Sequence, residues 1–339
     1  LLPSVRYDTL AKLTPAAPTI ALTTPATGQQ VRGVLEPQYT ATGVVTDMAY
    51  YVDGTQVAWQ PTLFSWKWNT TLWPDGPHTV RVVVQNAGGS AESSVNVTVD
   101  NTPPAGSASA PAWTSATQIP VTISGEASGV AFSEGWTWEG ESLYHQTGIL
   151  ATDAGASQGA SWLGRGGEDR PGAWYGPYTC ILAPGAYQAV FRLRTDNTAS
   201  SAGLATIDVA DGTEGISYAL QPVHADGFAN TQYQDMTLPF GYGSPAPSCQ
   251  SGNGGLEFRT WYSGAGNLWL DRVSVYTAPV ARADVHLWPA PSADGVIGLT
   301  VRLLDVAGNA KDEQLTVGVD RTAPIWPQSA RSGYWVRDL

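Results

Sequence analysis

Residues 95–104 read Val-Asn-Val-Thr-Val-Asp-Asn-Thr-Pro-Pro, and residues 315–324 read Leu-Thr-Val-Gly-Val-Asp-Arg-Thr-Ala-Pro. The second stretch begins 220 residues after the first, and an Ala-Gly pair precedes each at the same offset, at residues 87–88 and 307–308. Equal spacing over about 30 residues indicates an internal repeat. The chain therefore contains two copies of one folding unit.

Each copy has the pattern of a β-hairpin. In the first copy, valines alternate with other residues, and a period of two places them on one buried face of a sheet. The glycines between the two runs predict a hairpin turn. The prolines that follow the second run end it, because proline cannot donate to a strand ladder. The valines are Val80, Val82, Val84, Val95, Val97 and Val99.

The two copies differ in length. The first occupies residues 18–102, a normal size for an immunoglobulin-like sandwich of about 100 residues. The second opens at Pro103 and closes near Thr322, more than twice the expected domain size. A loop accepts an inserted domain at small entropic cost when the ends of the insert lie close together. We therefore expect a discontinuous immunoglobulin-like domain of residues 103–131 and 282–322, with residues 132–281 inserted in it.

The remaining segments are short. We expect residues 1–17 to be a linker or the end of a preceding domain, and residues 323–339 to start a following one. The chain is accordingly interpreted as part of a longer protein.

The composition restricts the possible functions. The net charge of −12, with no basic stripe, argues against nucleic-acid binding. No apolar run is long enough for direct membrane insertion. Helical periodicity is absent, and 37 Gly and 24 Pro separate short runs rich in Val, Thr, Tyr and Trp. This pattern predicts an all-β chain.

The chain has two cysteines, Cys180 and Cys249. A single even pair predicts one disulfide and an oxidising location, secreted or at the cell surface. The alternative is two separate buried thiols. The pair is too sparse for a zinc site.

The flanks of the insert resemble bacterial immunoglobulin-like domains of large cell-surface and secreted proteins. The residues that carry this resemblance are Trp73-Pro74-Asp75-Gly76-Pro77-His78 and the two Asp-x-Thr-x-Pro junctions at residues 100–104 and 320–324.

The insert has a different set of motifs. They include Trp138-Glu139-Gly140-Glu141, Ala156-Ser157-Gln158-Gly159 and the closing Leu270-Asp271-Arg272-Val273. In this order they resemble the galactose-binding-like β-jelly roll, and especially carbohydrate-binding modules of families 6 and 35. The predicted fold is therefore all-β, with immunoglobulin-like β-sandwiches and an inserted β-jelly-roll sandwich.

The resemblance implies a structural calcium ion at Glu139, Glu141 and Asp271. Two glutamates that alternate around Gly140 on a strand point to one face, about 7 Å apart. Such carboxylates repel unless something neutralises them, and Ca²⁺ takes several oxygen ligands. The alternative is that both glutamates are solvated on an edge strand.

The resemblance also implies a glycan as partner, held by loops at one end of the sandwich. The predicted ligand-binding residues are Trp174, Tyr175, Tyr262 and Asn267, with Arg170 as a further donor. Gly and Pro on both sides of Trp174-Tyr175 predict a loop, and the Asn267 amide can both donate and accept. The alternative for each aromatic residue is the core.

The sequence gives little sign of catalysis. The four histidines are far apart, and no nucleophile elbow or metalloprotease motif occurs. Glu168-Asp169 is the candidate carboxylate pair for glycoside hydrolysis, but it is interpreted as a solvated loop. We therefore predict a non-catalytic carbohydrate-binding region of a larger secreted or cell-surface protein. The alternatives are a structural stalk, adhesin or filament subunit, whose insert would contact other domains or copies of the parent protein, and an enzyme with a concealed active site.

Overall fold

A computed structural model describes residues 14–243, 246–252 and 254–322 of the chain. The fold is all-β, as predicted, because short runs with a period of two alternate with turns rich in glycine and proline. Residues 1–13 and 323–339 lie outside the described residues, so the expectations for the two ends of the chain are not addressed by the structure.

The first unit is a sandwich of nine strands. A sheet of order β2-β9-β8-β5-β6 faces two short pairs, β1-β4 and β3-β7. The alternating valines of β8 and β9 form its buried face, as expected from their period of two. The strands are β1 Thr19–Thr24, β2 Gln30–Val31, β3 Val34–Leu35, β4 Gln38–Thr42, β5 Asp47–Val52, β6 Thr55–Gln60, β7 Trp68–Asn69, β8 Gly76–Asn86 and β9 Gly89–Val99.

The second unit begins with four strands before the chain enters the insert. They are β10 Ser107–Ser109, β11 Trp113–Thr114, β12 Gln118–Ser124 and β13 Gly129–Ser133.

The insert is a sandwich of two larger sheets. One sheet has the order β16-β17-β25-β20-β23, with β14 paired to β25, and the other has the order β15-β18-β24-β21-β22, with β19 paired to β24. The elements are β14 Thr137–Glu139, β15 Tyr144–His145, β16 Ile149–Thr152, β17 Ala160–Gly164, β18 Gly172–Tyr175, β19 Pro177–Thr179, β20 Gly185–Arg194, β21 Gly203–Asp211, β22 Ile216–His224, β23 Gln234–Tyr242, the helix α1 Pro247–Ser251, β24 Leu256–Tyr262 and β25 Leu268–Thr277.

After the insert the chain returns to the second unit. The returning strands are β26 Val280–Ala281, β27 Val285–Pro289, β28 Gly295–Leu304 and β29 Ala310–Val319. They complete the sheets β10-β12-β27 and β11-β29-β28-β13-β26. Val121 from before the insert and Val317 from after it lie in one core, which is the arrangement that a discontinuous domain requires.

The surrounding sheet extends slightly into the segment that we assigned to the insert. β13 continues to Ser133 and pairs with β28, and β26 pairs with β13. Residues 132–133 and 280–281 therefore belong to the second unit rather than to the insert, because their backbone groups bond to its strands. The other proposed boundaries remain predictions.

The two outer faces of the insert differ in their surroundings. On the sheet that contains β20 and β25, Val190 and Tyr276 pack against Ala131 of the second unit. The Tyr276 hydroxyl also lies 3.0 Å from Asp312 Oδ2, within hydrogen-bond distance. The neighbouring unit thus covers part of this face, while large side chains on the opposite sheet stay exposed.

The two cysteines form the predicted disulfide. Cys180 follows β19, Cys249 lies in α1, and their Cα atoms are 5.7 Å apart. The bond ties the segment between β23 and β24 to the edge of the sandwich.

Candidate functional site

The exposed sheet of the insert carries a cluster of aromatic and charged side chains, which we call the outer face. It consists of Tyr144, Gln146, Tyr175, Glu257, Arg259 and Trp261. Strand alternation selects its members: in β24, Phe258 and Tyr262 point into the core, so Glu257, Arg259 and Trp261 point outward. Neighbouring strands supply the rest, since Tyr144 of β15 lies opposite Tyr175 of β18.

The aromatic rings of the outer face are open to solvent. Trp261 is 43% exposed and Tyr144 is 57% exposed, unusually high values for such large side chains. The Tyr144 and Tyr175 rings stack with their centroids 5.6 Å apart, and Tyr178 meets the edge of the same pair. Flat aromatic surface is therefore presented at two places on one face.

A buried aspartate fixes the charged side chain of the face. Asp208 of β21 accepts from Arg259 Nε at 2.8 Å and Nη2 at 2.5 Å, and from Trp261 Nε1 at 3.3 Å. The Arg259 guanidinium also lies 5.2 Å from the Trp261 ring centroid, within cation–π range. The hydrogen bonds to Asp208 raise the pKa of Arg259 above its ordinary value. Asp208 thus holds both side chains in fixed orientations before any ligand arrives.

Glu257 lies in the floor of a shallow groove in this face. The groove has a volume of about 230 Å³. It is lined by the outer-face residues other than Tyr144, together with Ala173 and Gly212. Glu257 is only 5% exposed. Burial raises its pKa, with Asp208 and Asp211 adding to the shift and Arg259 opposing it. Tyr178 donates a hydrogen bond to this carboxylate.

Two of the predicted ligand-binding aromatics are in the core instead. Trp174 is 0% exposed and Tyr262 is 2% exposed, and their rings stack on each other 5.4 Å apart. The prediction that they contact a glycan is wrong, because neither ring face is accessible. The segment around Trp174 forms a strand, β18, which begins at Gly172, rather than a loop. Alternation in this strand sends Trp174 inward and leaves Tyr175 on the outer face.

The other two predicted residues lie in loops that contact each other. Gly167 N donates to Gly264 O at 3.1 Å, so the loop that contains Arg170 packs against the loop that leads to Asn267. The Asn267 amide is engaged inside this pair of loops: it accepts from Gly166 N at 2.8 Å and donates to Asp196 Oδ2 at 2.7 Å. Asn267 therefore orders the loops, while Arg170 is exposed.

The three predicted calcium ligands come together only partly. The Ser157 hydroxyl lies within hydrogen-bond distance of both Glu139 Oε2 and Asp271 Oδ1, between which its single proton is shared. Asp271 also accepts from Ser157 N at 2.7 Å, and its Oδ2 lies 2.7 Å from Arg192 Nε. Both oxygens of Asp271 thus already have partners.

Glu141 differs from these two carboxylates. It lies in a 3₁₀ turn, Gly140–Ser142, rather than on the strand that we expected. The turn passes so close to β25 that a Cβ atom on Gly140 would lie 2.2 Å from Leu270 O. Within the described residues, the buried Glu141 Oε2 has no hydrogen-bond partner. Burial raises the pKa of Glu141, and the Glu139 and Asp271 charges raise it further.

As placed, these side chains do not form a metal centre. In the part of the chain that the structure describes, no group of three or more His, Cys, Asp or Glu side chains is arranged to hold a metal ion. A cation here would have to replace the Ser157 hydroxyl between Glu139 and Asp271. Calcium therefore remains a prediction, and the unpartnered oxygen of Glu141 is the observation in its favour.

Sequence reasoning missed most of the outer face. Asp208, Glu257 and Arg259 were not predicted as site residues, although the alternation in residues 256–262 contains the signal. In this segment Leu256, Phe258 and Tyr262 mark the buried face, so the alternate residues Glu257, Arg259 and Trp261 must point outward.

Comparison with known proteins finds a family match to one part of the chain. A family model described as a bacterial Ig domain matches residues 18–82, within the first unit. No curated protein matches the chain in sequence. Among the described residues, no helix is long and apolar enough to cross a membrane.

Similar solved structures include an endo-β-1,4-mannanase from Thermotoga petrophila, at 15% identity and a TM-score of 0.22, covering 25% of this chain and 20% of the mannanase. A structure of carbohydrate-binding modules from the β-sandwich superfamily is 16% identical over 76% of this chain and 98% of its own, with a TM-score of 0.24. A protein of the Bacteroides ovatus mixed-linkage glucan utilization locus, in complex with a mixed-linkage heptasaccharide, is 11% identical over 76% and 98%, with a TM-score of 0.21. Likeness at this level carries no conclusion about ligand or activity.

Proposed function

We propose that the chain is a non-catalytic carbohydrate-binding region of a larger secreted or cell-surface protein, and that glycan binds on the outer face of the insert. The observation that carries this proposal is the combination of exposed aromatic rings with an arginine fixed by a buried aspartate. The aromatic rings suit the apolar side of a sugar, and the arginine suits its hydroxyls.

Sugars present apolar C–H faces and a rim of hydroxyl groups. The Trp261 ring and the stacked Tyr144–Tyr175 pair offer flat surfaces for the C–H faces, and burying such contacts contributes most of the binding energy at many interfaces. Arg259 keeps N–H groups beyond those bound by Asp208, and Gln146 supplies an amide. Because the groove is shallow and open, we expect modest affinity.

The carboxyl groups of the outer face favour binding over glycoside hydrolysis. Glycoside hydrolysis ordinarily needs two carboxyl groups that can act on the substrate. On this face Asp208 is bound by Arg259 and Trp261, and Asp211 accepts from the backbone N–H of Ser248. Glu257 is the carboxyl group that lines the groove. One such group supports binding better than hydrolysis.

Two finer assignments belong to the same proposal. We assign the insert to the galactose-binding-like jelly roll and liken it to carbohydrate-binding modules of families 6 and 35, from its sequence motifs and its two packed sheets. The disulfide favours an oxidising compartment, as expected for a secreted or cell-surface protein.

A binding screen with the intact chain tests the proposal. The probes are konjac glucomannan, barley mixed-linkage glucan, xylan and galactan, each embedded in a native gel. We expect at least one polysaccharide to retard the wild-type chain. Trp261→Ala and Tyr144→Ala should abolish the retardation, while Arg170→Ala, in the exposed loop, should not.

Two results would count against this assignment. If Arg170→Ala abolished retardation and Trp261→Ala did not, the glycan would bind at the loops rather than on the outer face. If no polysaccharide retarded the chain, the structural role of a stalk, adhesin or filament subunit would become the better interpretation.

A further inference from the structure

We infer that the outer face selects neutral glycans and excludes glycans that carry carboxylates, with Glu257 as the residue that discriminates; this selectivity presupposes the glycan binding proposed above. On this face the charge of Arg259 is balanced by a partner within the protein, whereas that of Glu257 is balanced less closely.

The positive charge of the face is already compensated. Arg259 makes two hydrogen bonds to Asp208, at 2.8 Å and 2.5 Å. This bidentate geometry is the strongest that a guanidinium forms with a carboxylate. An anionic sugar would therefore meet an arginine whose charge a buried aspartate already balances.

The negative charge of Glu257 is compensated less closely: Tyr178 donates a hydrogen bond to it and Arg259 attracts it, but it forms no bidentate pair. Its Oε2 lies 3.7 Å from Arg259 Nη1, beyond hydrogen-bond distance. Its neighbours Asp208 and Asp211 are also acidic. A ligand entering the groove consequently meets a region in which acidic groups outnumber the single arginine.

Gly212 packs against the carboxyl group of Glu257 and so sets its position in the groove. A Cβ atom on Gly212 would lie 2.3 Å from Glu257 Oε1 and 2.5 Å from Oε2, so any side chain at position 212 would displace the carboxylate. Because residue 212 is glycine, the carboxyl group occupies the floor of the groove beside Tyr175 and Trp261.

These features favour a ligand that donates hydrogen bonds and carries no negative charge. A sugar hydroxyl can donate to Glu257 and accept from the free N–H groups of Arg259. A uronate carboxylate in that position would face Glu257 with no unpaired cation to offset the repulsion, and such a juxtaposition of like charges disfavours binding.

Matched pairs of polymers test this selectivity on the intact chain. Each neutral polysaccharide (konjac glucomannan, mixed-linkage glucan and galactan) is compared with the product of oxidising its primary alcohols to carboxylates. For every pair in which the neutral polymer binds, we expect the oxidised polymer to bind at least tenfold more weakly. Glu257→Gln should reduce the difference in affinity between the neutral and the oxidised polymer, because the amide keeps the shape of the side chain and removes its charge. The control variant Glu168→Gln, in an exposed loop, should leave that difference unchanged.

The possible failures can be told apart. Oxidised polymers that bind the wild-type chain as tightly as the neutral ones would overturn the selectivity and leave glycan binding intact. An unchanged difference in a folded Glu257→Gln variant would overturn the role of Glu257. Binding of none of the polymers would overturn the proposed function and the selectivity together. The wild-type comparison needs no substitution, so it holds even if the variant fails to fold.

Discussion

Removal of the disulfide should destabilise the insert by a predictable amount. The bond joins Cys180 and Cys249 across a sequence separation of 69 residues. In the chain-entropy model, a closed loop of this length stabilises the folded state by about 4 kcal/mol. For a domain of about 140 residues, the entropy of unfolding converts this loss into a fall in melting temperature of roughly 10–15 °C.

Scanning calorimetry of the whole chain provides the assay. The double variant Cys180→Ala, Cys249→Ala is compared with the oxidised wild type, and the wild type with both sulfurs reduced and alkylated serves as the control for the substitutions. The transition of the insert should move down in both samples. The transition of the first unit should stay in place, because residues 14–102 contain no cysteine.

The result that would refute this reasoning is a small shift. If the melting temperature of the insert fell by less than about 3 °C, the disulfide would add little to the stability that the two packed sheets already provide. A shift in the double variant without one in the alkylated wild type would instead assign the loss to the packing of the cysteine side chains.

Three further predictions concern two buried cores and the calcium site. Trp174→Ala should destabilise the insert by about 3–5 kcal/mol, measured by urea unfolding, since it empties a fully buried site; a loss below 1 kcal/mol would contradict its place in the core. Val121→Ala and Val317→Ala should each lower the free energy of unfolding by about 1–3 kcal/mol. Both should lower the melting temperature of the same calorimetric transition, because the two valines share one core; effects on different transitions would rule out the discontinuous domain. If calcium binds, excess chelator should lower the melting temperature of the wild type, and Glu141→Gln should abolish the stabilisation by added calcium. Equal melting curves with chelator and with calcium would reject the ion.

Much of the fold could be predicted because the repeat and the alternating pattern record it directly. The constant offset between Val97 and Val317 indicated two equivalent units, and the excess length of the second indicated an insert. Period-two burial of the valines follows from strand geometry alone. The cysteine pairing needed only the count of two. Each of these predictions depends on a local pattern or on the length of a segment, and both can be read directly from the sequence.

The errors at the candidate site arose where tertiary packing overrides local signals. Gly172 and Pro177 suggested a loop around Trp174, but strand pairing with β24 makes the segment extended. Glu141 lies in a turn rather than on the predicted strand, because Gly140 packs against the Leu270 carbonyl of a neighbouring strand. The Asp208–Arg259 pair joins residues 51 positions apart in sequence. Pattern alone does not reveal which strands become neighbours.

The measurement that tests glycan binding on the outer face most directly is a calorimetric titration. A polysaccharide that retards the wild-type chain is titrated into the wild type, Trp261→Ala and Trp59→Ala. Trp59 is a matched control, since it is 48% exposed, close to the 43% of Trp261, but lies on the first unit. We predict that Trp261→Ala weakens binding at least tenfold, about 1.4 kcal/mol, without lowering the melting temperature, and that Trp59→Ala binds as the wild type does. Full affinity in Trp261→Ala would contradict glycan binding on this face.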